Sequence, residues 1–311
     1  MKFWLMVAIK SWPKFENKSD LISLNYPKLN KMKKFLTLAI VLLVGLSACD
    51  KNKDYLITIH TEYGDMKAIL YDETPLHKKN FIELAKAGKY DSTTWHRVIE
   101  SFMIQGGDVN TKEGTRETEA DRIPAEIVPG FKHTKGAIAA ARQGDNVNPE
   151  KMSSSCQFYI VDGRKFTESE LTTDQMKLNQ SVSQMLRMEG YDSLRQLFTE
   201  LQQKRDFEGM NQLALDCKDY VESELDIELD KEVDPELVAT YTKEEGAPHL
   251  DKEYTVFGRV VEGLDVIDKI AAVETNRMDK PVKNTYLTVE VEMVPKKEIT
   301  KKYGYEYPDS E

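Results

Sequence analysis

The sequence predicts a mainly β protein, a closed antiparallel barrel into which one helical segment is inserted. Short strand-like runs with alternating apolar and polar residues recur from Tyr55 onward, and only two short helix patterns lie among them. One long stretch, residues 165–247, instead repeats apolar residues at the three- and four-residue spacing of amphipathic helices. The two patterns indicate two differently built parts.

The barrel elements follow one another along the chain. Leu56–His60 and Met66–Leu70 flank a turn at Gly64, which predicts a hairpin. Asp72–Pro75 is a helix-start signal that predicts an acidic first turn, and Gly88 is the expected stop. The other predicted strands are Thr94–Ile99, Phe102–Gln105, Gly136–Ala141, Gln157–Val161, Tyr254–Val261 and Tyr286–Met293, and Val266–Ala272 is a second short helix.

The helical segment 165–247 opens with Thr167–Glu170, which has the pattern of a capping box. Its apolar spacing predicts three or four amphipathic helices between two barrel strands. The acidic stretch Glu222–Glu236 predicts a loop, with Pro235 near the start of a last short helix. Four interpretations of this insert stay open: a lid, a client-binding arm, a docking surface, or a solvated decoration.

The N-terminal region has the pattern of a targeting signal. Lys33 and Lys34 precede the uncharged, mostly apolar run Phe35–Ala48, whose 14 residues have signal-peptide length. The ending Leu46–Cys49 resembles the lipobox of bacterial lipoproteins, in which a lipid is attached to the cysteine, here Cys49. A buried core helix is the alternative interpretation.

This resemblance predicts a protein anchored by a lipid to the bacterial cell envelope, at the periplasmic face or the outer membrane. Residues 32–48 would be the signal peptide and 49–54 a polar tether. Residues 1–31 fit no targeting pattern, so we expect a non-native or misassigned extension; a cytosolic extension on an uncleaved anchor is the alternative. Residues 296–311 are polar and are expected to form a loose tail.

Composition excludes several function classes. The formal net charge of −10 argues against nucleic-acid binding, because neutralising phosphates needs clustered Lys and Arg. No two of the five histidines lie closer than 17 residues, so no local pair of metal ligands is present. Three cysteines exclude a disulfide-rich scaffold. Cys156 and Cys217 are either a disulfide between insert and barrel or two buried thiols.

One run carries the most information about function. Trp95-His96-Arg97-Val98-Ile99 is followed after two residues by Phe102-Met103-Ile104-Gln105-Gly106-Gly107-Asp108. This order resembles the signature of the cyclophilin family. Further matching segments follow in family order: Thr74-Pro75 with Asn80-Phe81, Lys135–Arg142, Ser155–Ile160, His249–Asp251 and Tyr254–Val260. The resemblance covers residues 55–164 and 248–295 and skips the insert.

The resemblance implies an eight-stranded antiparallel barrel capped by two helices. It also implies peptidyl-prolyl cis/trans isomerisation of proline-containing polypeptides. This reaction makes and breaks no covalent bond, so neither a cofactor nor a metal is expected. By resemblance, Arg97, Gln105 and Phe102 are catalytic. The substrate-binding residues would be Met103, Ala141, Arg142, Gln157, Tyr159, Leu250 and Tyr254. His96 is interpreted as structural.

Among the positions that depart from the family pattern, three belong to the predicted site. Arg142 replaces a frequent Asn, and Tyr254 stands where many relatives have His. Tyr159 replaces Phe, and its hydroxyl requires a hydrogen-bond partner or water if it is buried. We expect an isomerase that acts on exported or envelope proteins. The alternative is a non-catalytic or holdase-type module that binds clients through the insert. The sequence leaves the oligomeric state open.

Overall fold

The computed structural model describes residues 52–307. The predicted extension 1–31, the signal peptide 32–48 and the lipid site Cys49 lie outside these residues. Residues 52–54 and 294–298 group as a small unit, in which the Lys296 N–H donates to the Asn52 carbonyl at 2.8 Å. The other described residues form the large unit. Within the described range, no helix is both long and apolar enough to cross a membrane.

Residues 52–307 contain nine strands in one curled antiparallel sheet. Their bounds are β1 Lys53–Thr61, β2 Gly64–Leu70, β3 Thr93–Thr94, β4 Arg97–Ile99, β5 Met103–Gly106, β6 Ala137–Ala140, β7 Phe158–Val161, β8 Val256–Glu262 and β9 Tyr286–Pro295. The strand order is β3-β9-β1-β2-β8-β6-β7-β5-β4. The predicted hairpin is confirmed, since β1 pairs with β2 up to Thr61 opposite Gly64.

The predicted strand Thr94–Ile99 is divided, and its two pieces, β3 and β4, stand at opposite ends of the strand order. Trp95 and His96 separate them. The Trp95 N–H donates to the Thr285 carbonyl at 2.9 Å, whereas the His96 N–H donates to the Gln105 carbonyl at 3.0 Å. The segment thus changes partner between these two residues, which breaks the ladder. A closed barrel of eight strands is not confirmed.

Four helices of the described chain lie outside the insert: α1 Pro75–Lys86, α2 Val109–Glu113, α9 Leu264–Ala271 and α10 Lys296–Tyr303. The predicted acidic first turn of α1 is wrong, because Asp72 and Glu73 precede the helix. A distant carboxylate takes their place: Glu126 accepts hydrogen bonds from the N–H groups of Leu76 and His77, both at 3.0 Å. The expected loose tail is also wrong where α10 forms, since Ile299 is fully buried there.

The insert contains six helices among its described residues: α3 Glu168–Thr172, α4 Gln175–Met185, α5 Asp192–Lys204, α6 Phe207–Asp216, α7 Lys218–Leu225 and α8 Pro235–Tyr241. The predicted capping box is confirmed, with Thr167 and Glu170 bonding each other's backbone N–H groups. Six helices form instead of the expected three or four, because capping side chains begin a new helix at short intervals. Asp174 caps α4, Asp206 caps α6 and Asp234 caps α8.

The two faces of the sheet have different roles. Ile104, Ile160 and Ile138 are paired across β5, β7 and β6 and belong to the main core. The next residues along these strands point to the opposite face, since side chains alternate. There, Tyr159 and Ala139 belong to a second buried cluster, separate from the main core. The candidate site lies on this second face.

Candidate active site

Sheet register places four side chains in one row across neighbouring strands. Arg97 on β4 is paired with Gln105 on β5, Gln105 with Tyr159 on β7, and Tyr159 with Ala139 on β6. Directly opposed residues share a face, and adjacent strands lie about 4.8 Å apart. A charged group, an amide and an aromatic ring are therefore held side by side by backbone pairing alone.

This row borders an open cleft of about 380 Å³. Its lining residues are Arg97, Phe102, Met103, Gln105, Ala141, Arg142, Tyr159, Leu250 and Tyr254. The structure thus brings together nine of the ten residues predicted to act on or bind substrate. The tenth, Gln157, lies beside the cleft, where its Oε1 accepts a hydrogen bond from Gln105 Nε2 at 3.1 Å.

One wall of the cleft is apolar and is formed by Phe102, Met103 and Leu250. The Phe102 carbonyl accepts hydrogen bonds from the N–H groups of Asp162 and Gly163, at 3.0 and 3.1 Å, which fixes the backbone beneath the ring. The Phe102 ring packs against the His249 ring with centroids 5.2 Å apart. Met103 and Leu250 are buried.

The glycine pair after Gln105 has a packing role. Gly107 has a φ of 75°, and a Cβ at this position would lie 2.7 Å from the ring of Phe158. A Cβ at Gly106 would lie 2.8 Å from the indole of Trp95. Both contacts are too short for any side chain, so only glycine lets the chain leave β5 against these two rings.

Arg97 reaches the cleft from its rim. Its side chain is 44% exposed, and its Nε lies 3.6 Å from Asp279 Oδ2. The Asp279 carbonyl also accepts a hydrogen bond from the Val98 N–H at 2.7 Å. Asp279 therefore holds both the backbone and the guanidinium at this point. Sequence reasoning missed Asp279, because nothing in the chain around it indicates a partner on β4.

Arg142 is bound far more tightly than Arg97. Only 5% of its side chain is exposed, and its Nε and Nη2 donate to the carbonyl and carboxylate of Glu253, at 2.9 and 3.1 Å. Its guanidinium lies 4.5 Å from the centre of the Tyr254 ring, a cation–π contact. Arg142 therefore lines the cleft and also fixes the ring of Tyr254, another lining residue.

The Tyr159 hydroxyl has the partner that its burial requires. The residue is only 4% exposed, and its hydroxyl lies 3.0 Å from Nε2 of His133, which is fully buried. Burial raises the pKa of Tyr159 well above its ordinary value, so the phenol stays neutral. The ring packs edge-on against Tyr254 at 5.8 Å. Sequence reasoning missed His133; the signal for it was the added hydroxyl at position 159.

Two further predictions can be compared with the structure. His96 is largely enclosed by protein, and burial lowers the pKa of its imidazole. Its backbone N–H extends the pairing to β5, and the structural role of its side chain stays a prediction. Cys156 and Cys217, the cysteines within the described residues, are both free thiols. The disulfide alternative is therefore wrong. Of the two thiols that the other alternative expected to be buried, Cys156 is buried and Cys217 is half-buried.

Comparison with known proteins agrees with this geometry. The model of the family "Cyclophilin type peptidyl-prolyl cis-trans isomerase/CLD" matches residues 56–185 and 224–291, well over half of the chain. The unmatched residues 186–223 lie within the insert. The match includes every cleft residue from Arg97 to Tyr254.

Two bacterial relatives are named as peptidyl-prolyl cis-trans isomerases. A Streptococcus pyogenes protein named as a bifunctional phosphatase/peptidyl-prolyl cis-trans isomerase is 30% identical over 240 residues, which are 76% of this chain but only 38% of that protein. A Staphylococcus epidermidis protein named as a peptidyl-prolyl cis-trans isomerase is 26% identical over 260 residues, 83% of this chain and 93% of that protein.

Among solved structures, a cyclophilin type isomerase of Cryptosporidium parvum aligns with 76% of this chain and 98% of its own, at 17% identity and a TM-score of 0.45. The extent of the family match, together with the shared name of the bacterial relatives, decides the assignment. This chain belongs to the family of cyclophilin-type peptidyl-prolyl cis-trans isomerases, enzymes that act on proline-containing polypeptides.

Proposed function

We propose that this protein isomerises X-Pro bonds in exported or envelope polypeptides, by Arg-assisted loss of amide conjugation above a desolvated proline pocket. The observation that carries the proposal is the cleft itself. Within it, the guanidinium of Arg97 stands at the rim of an apolar wall formed by Phe102, Met103 and Leu250. A cation and an apolar surface that line the same cleft are the two features that this reaction needs.

The chemistry follows from the nature of the peptide bond. Rotation about the C–N bond is opposed by a barrier of ~18–20 kcal/mol, because conjugation is lost in the twisted state. An enzyme accelerates rotation only by binding the twisted amide better than either planar form. In the twisted state the prolyl nitrogen regains its lone pair. A hydrogen bond from Arg97 to this lone pair therefore forms most strongly in the transition state.

The environment of Arg97 suits this role. Its exposed side chain is available to a substrate, while Asp279 limits its orientations. An arginine provides several N–H donors in a fixed planar arrangement, which a lysine lacks. Gln105 and Gln157, joined by their hydrogen bond, present amide groups that can hold the substrate backbone on one side of the rotating bond. Only the other side then turns.

The apolar wall takes the proline ring in this proposal. Met103 and Leu250 are almost fully withdrawn from water, and Tyr159 contributes a buried aromatic ring beside them. Desolvation around the amide also favours the twisted form, because the planar amide is the more polar of the two. Ala141, Arg142 and Tyr254 would line the neighbouring subsite.

We also infer that the curled sheet closes into a barrel. Its two end strands, β3 and β4, are consecutive in the chain and are separated only by Trp95 and His96. The backbone of this short link bonds to both sides, as described above. Closure would leave no free sheet edge beside the cleft.

The envelope location is likewise a proposal, and it is supported by the sequence from Met32 to Cys49. A lipid on Cys49 would hold the enzyme at a membrane where exported chains fold. Labelling of growing cells with a radioactive fatty acid tests this directly. We expect label on the wild-type chain and none on Cys49→Ala, which should leave the membrane fraction. Unlabelled wild type would contradict the anchor.

A second candidate function, a holdase-type module that binds unfolded clients, is favoured by one observation. The insert carries an open groove lined in part by Val182, Leu186, Phe198 and Met210, and Phe207 beside them is 71% exposed. Exposed apolar surface of this kind is typical of sites that bind other chains. Under this alternative the cleft would be incidental to the main function.

The test of the first proposal is prolyl isomerisation of a short X-Pro peptide by the purified full chain. Arg97→Ala should lower kcat/KM by about 100-fold or more, the usual loss when one transition-state donor is removed. Arg97→Lys keeps the charge but not the planar donor set, and should restore only part of the activity. A wild type that is folded, as judged by circular dichroism, but gives no acceleration would contradict the catalytic proposal.

A further inference from the structure

A buried chain of hydrogen bonds connects the cleft to the last helix of the insert. Tyr159 lines the cleft, and its hydroxyl contacts His133 Nε2 at 3.0 Å. The other ring nitrogen of His133 lies 2.9 Å from Asp251 Oδ1. The hydroxyl of Tyr241, at the end of α8, donates to Asp251 with 2.8 Å to each carboxylate oxygen. Tyr159, His133 and Tyr241 are at most 4% exposed, and the side chain of Asp251 is 6% exposed.

The donors and acceptors along this chain have a defined direction. Burial alone would raise the pKa of Asp251, but the hydrogen bonds from His133 and Tyr241 outweigh it and lower the pKa below the ordinary value. The carboxylate is therefore charged and can only accept. Nδ1 of His133 therefore donates to Asp251, and Nε2 faces the Tyr159 hydroxyl at 3.0 Å. Asp251 is thus the common acceptor for both ends.

Tyr241 is held rigidly at the point where the insert rejoins the sheet. Its carbonyl accepts a hydrogen bond from the Phe166 N–H, at the other end of the insert, at 3.0 Å. Its ring packs so closely on Gly246 that a Cβ there would lie 2.4 Å from it. Gly246 in turn exchanges two backbone hydrogen bonds with Arg164, at 2.9 and 3.2 Å. A displacement at the base of the insert therefore moves the Tyr241 hydroxyl.

We propose that Tyr241 is a positioning residue for the proline pocket, and that the insert sets the orientation of Tyr159 through Asp251 and His133. The inference rests on the proposed isomerase function. Within residues 52–307, Tyr159 is the pocket residue on which this chain of hydrogen bonds ends, and its ring supports Tyr254, which also packs against the His133 ring at 6.4 Å. Arg97 lies on another strand and has a different acidic partner, Asp279. The insert therefore acts on binding of the proline ring rather than on the rotation step.

The experiment uses Tyr241→Phe, which removes only the hydroxyl, in the full chain. Tyr220→Phe is the matched control, because it removes the hydroxyl of another insert tyrosine, which contacts Tyr191 at 3.1 Å and takes no part in this chain of bonds. NMR exchange spectroscopy at several X-Pro peptide concentrations separates KM from kcat. For Tyr241→Phe we expect KM to rise about threefold to tenfold, the factor that one net hydrogen bond provides. kcat should stay within about twofold, and Tyr220→Phe should match wild type.

A double-mutant cycle distinguishes coupling from a general structural effect. If Tyr241 acts through Tyr159, the double variant Tyr241→Phe/Tyr159→Phe should have the same KM as Tyr159→Phe alone. If the two substitutions raise KM independently, so that their factors multiply in the double variant, the proposal is overturned. An unchanged KM in Tyr241→Phe would also overturn it. An inactive wild type would instead refute the isomerase function itself.

A spectroscopic measurement on the wild type keeps the proposal testable even if a variant fails to fold. Saturation with the X-Pro peptide should shift the ring ¹⁵N resonances of His133, since Tyr159 contacts the ligand and His133 together. In folded Tyr241→Phe the Nδ1 resonance should move as well, whereas in Tyr220→Phe it should not. Ring resonances of His133 that do not respond to peptide saturation would overturn the proposal.

Discussion

The cleft and the insert are stabilised in different ways. Cleft residues are positioned by partners far away in the chain: Gln105 by strand pairing and Tyr159 by His133. Insert helices depend mainly on their own ends, where Asp174 and Asp206 supply local caps. None of the residues of α5 is buried.

The two regions also differ in how completely they cover their apolar side chains. The sheet encloses a core with several fully buried aromatic rings, whereas the insert has a separate, smaller cluster of buried residues. All members of the smaller cluster fall within residues 174–229. The positions of the cleft side chains therefore depend on long-range packing. The insert is nearly self-contained, and only its base affects the cleft.

Truncating one phenylalanine in each region should give the largest difference in the free energy of unfolding. Phe158 is 1% exposed and packs edge-on against Phe81, Tyr90 and Trp95. Phe158→Ala should lower the free energy of unfolding by about 3–5 kcal/mol, because it leaves a cavity among these rings. Phe207→Ala, the exposed counterpart in the insert, should change it by less than about 0.5 kcal/mol. Urea unfolding followed by circular dichroism measures both; similar losses would refute the comparison.

Removing one helix cap in each region should give a smaller difference in stability between the sheet and the insert. Glu126 accepts from two N–H groups of α1 and lies 2.6 Å from His77 Nδ1. Glu126→Gln should lower global stability by about 1–2 kcal/mol, because the helix N-terminus loses its carboxylate. Asp206→Ala should instead speed hydrogen exchange in α6 only. Amide exchange of the whole chain measures both changes, and a global effect of Asp206→Ala would show that the insert is not self-contained.

Excising the outer part of the insert should have the smallest effect on catalysis. Thr173 and Asp230 form a β-bridge, and the Asp174 N–H donates to the Leu229 carbonyl at 2.8 Å, so the ends of 174–229 are adjacent. Replacing 174–229 by a short Gly-Ser linker keeps Tyr241. We expect kcat/KM for an X-Pro peptide to stay within about twofold of wild type.

The same excision tests the holdase alternative. If the groove of the insert binds unfolded clients, the shortened chain should lose the ability to suppress aggregation of a denatured protein while it still isomerises peptides. A shortened chain that protects clients as well as wild type would remove the support for this alternative. A large loss of peptide isomerisation would mean that the outer helices, and not only Tyr241, act on the cleft.

Much of the site could be predicted because its residues are concentrated in short runs. Arg97, Phe102, Met103 and Gln105 lie within nine consecutive residues, and a family resemblance assigned them to one site. Strand alternation then places Met103 and Gln105 on the same face. The caps of the insert were likewise readable locally, as Thr167–Glu170 illustrates. At the start of α1 and in α10 sequence reasoning failed because the deciding contacts were not local, whereas the number of insert helices was underestimated although their caps are local.

The family resemblance, the mainly β character, the helical nature of the insert and most residues of the cleft could be predicted from the amino-acid sequence. The partners that these residues contact depend on the folded packing. His133 contacts Tyr159, which is 26 residues away in the sequence, and Asp251, which is 118 residues away. Tyr241, in the insert, donates a hydrogen bond to Asp251. Periodicity and capping are properties of neighbouring residues, so they can be read along the chain. A buried hydroxyl or carboxylate is satisfied by whatever group the folded packing brings within about 3 Å, and no local pattern encodes that choice.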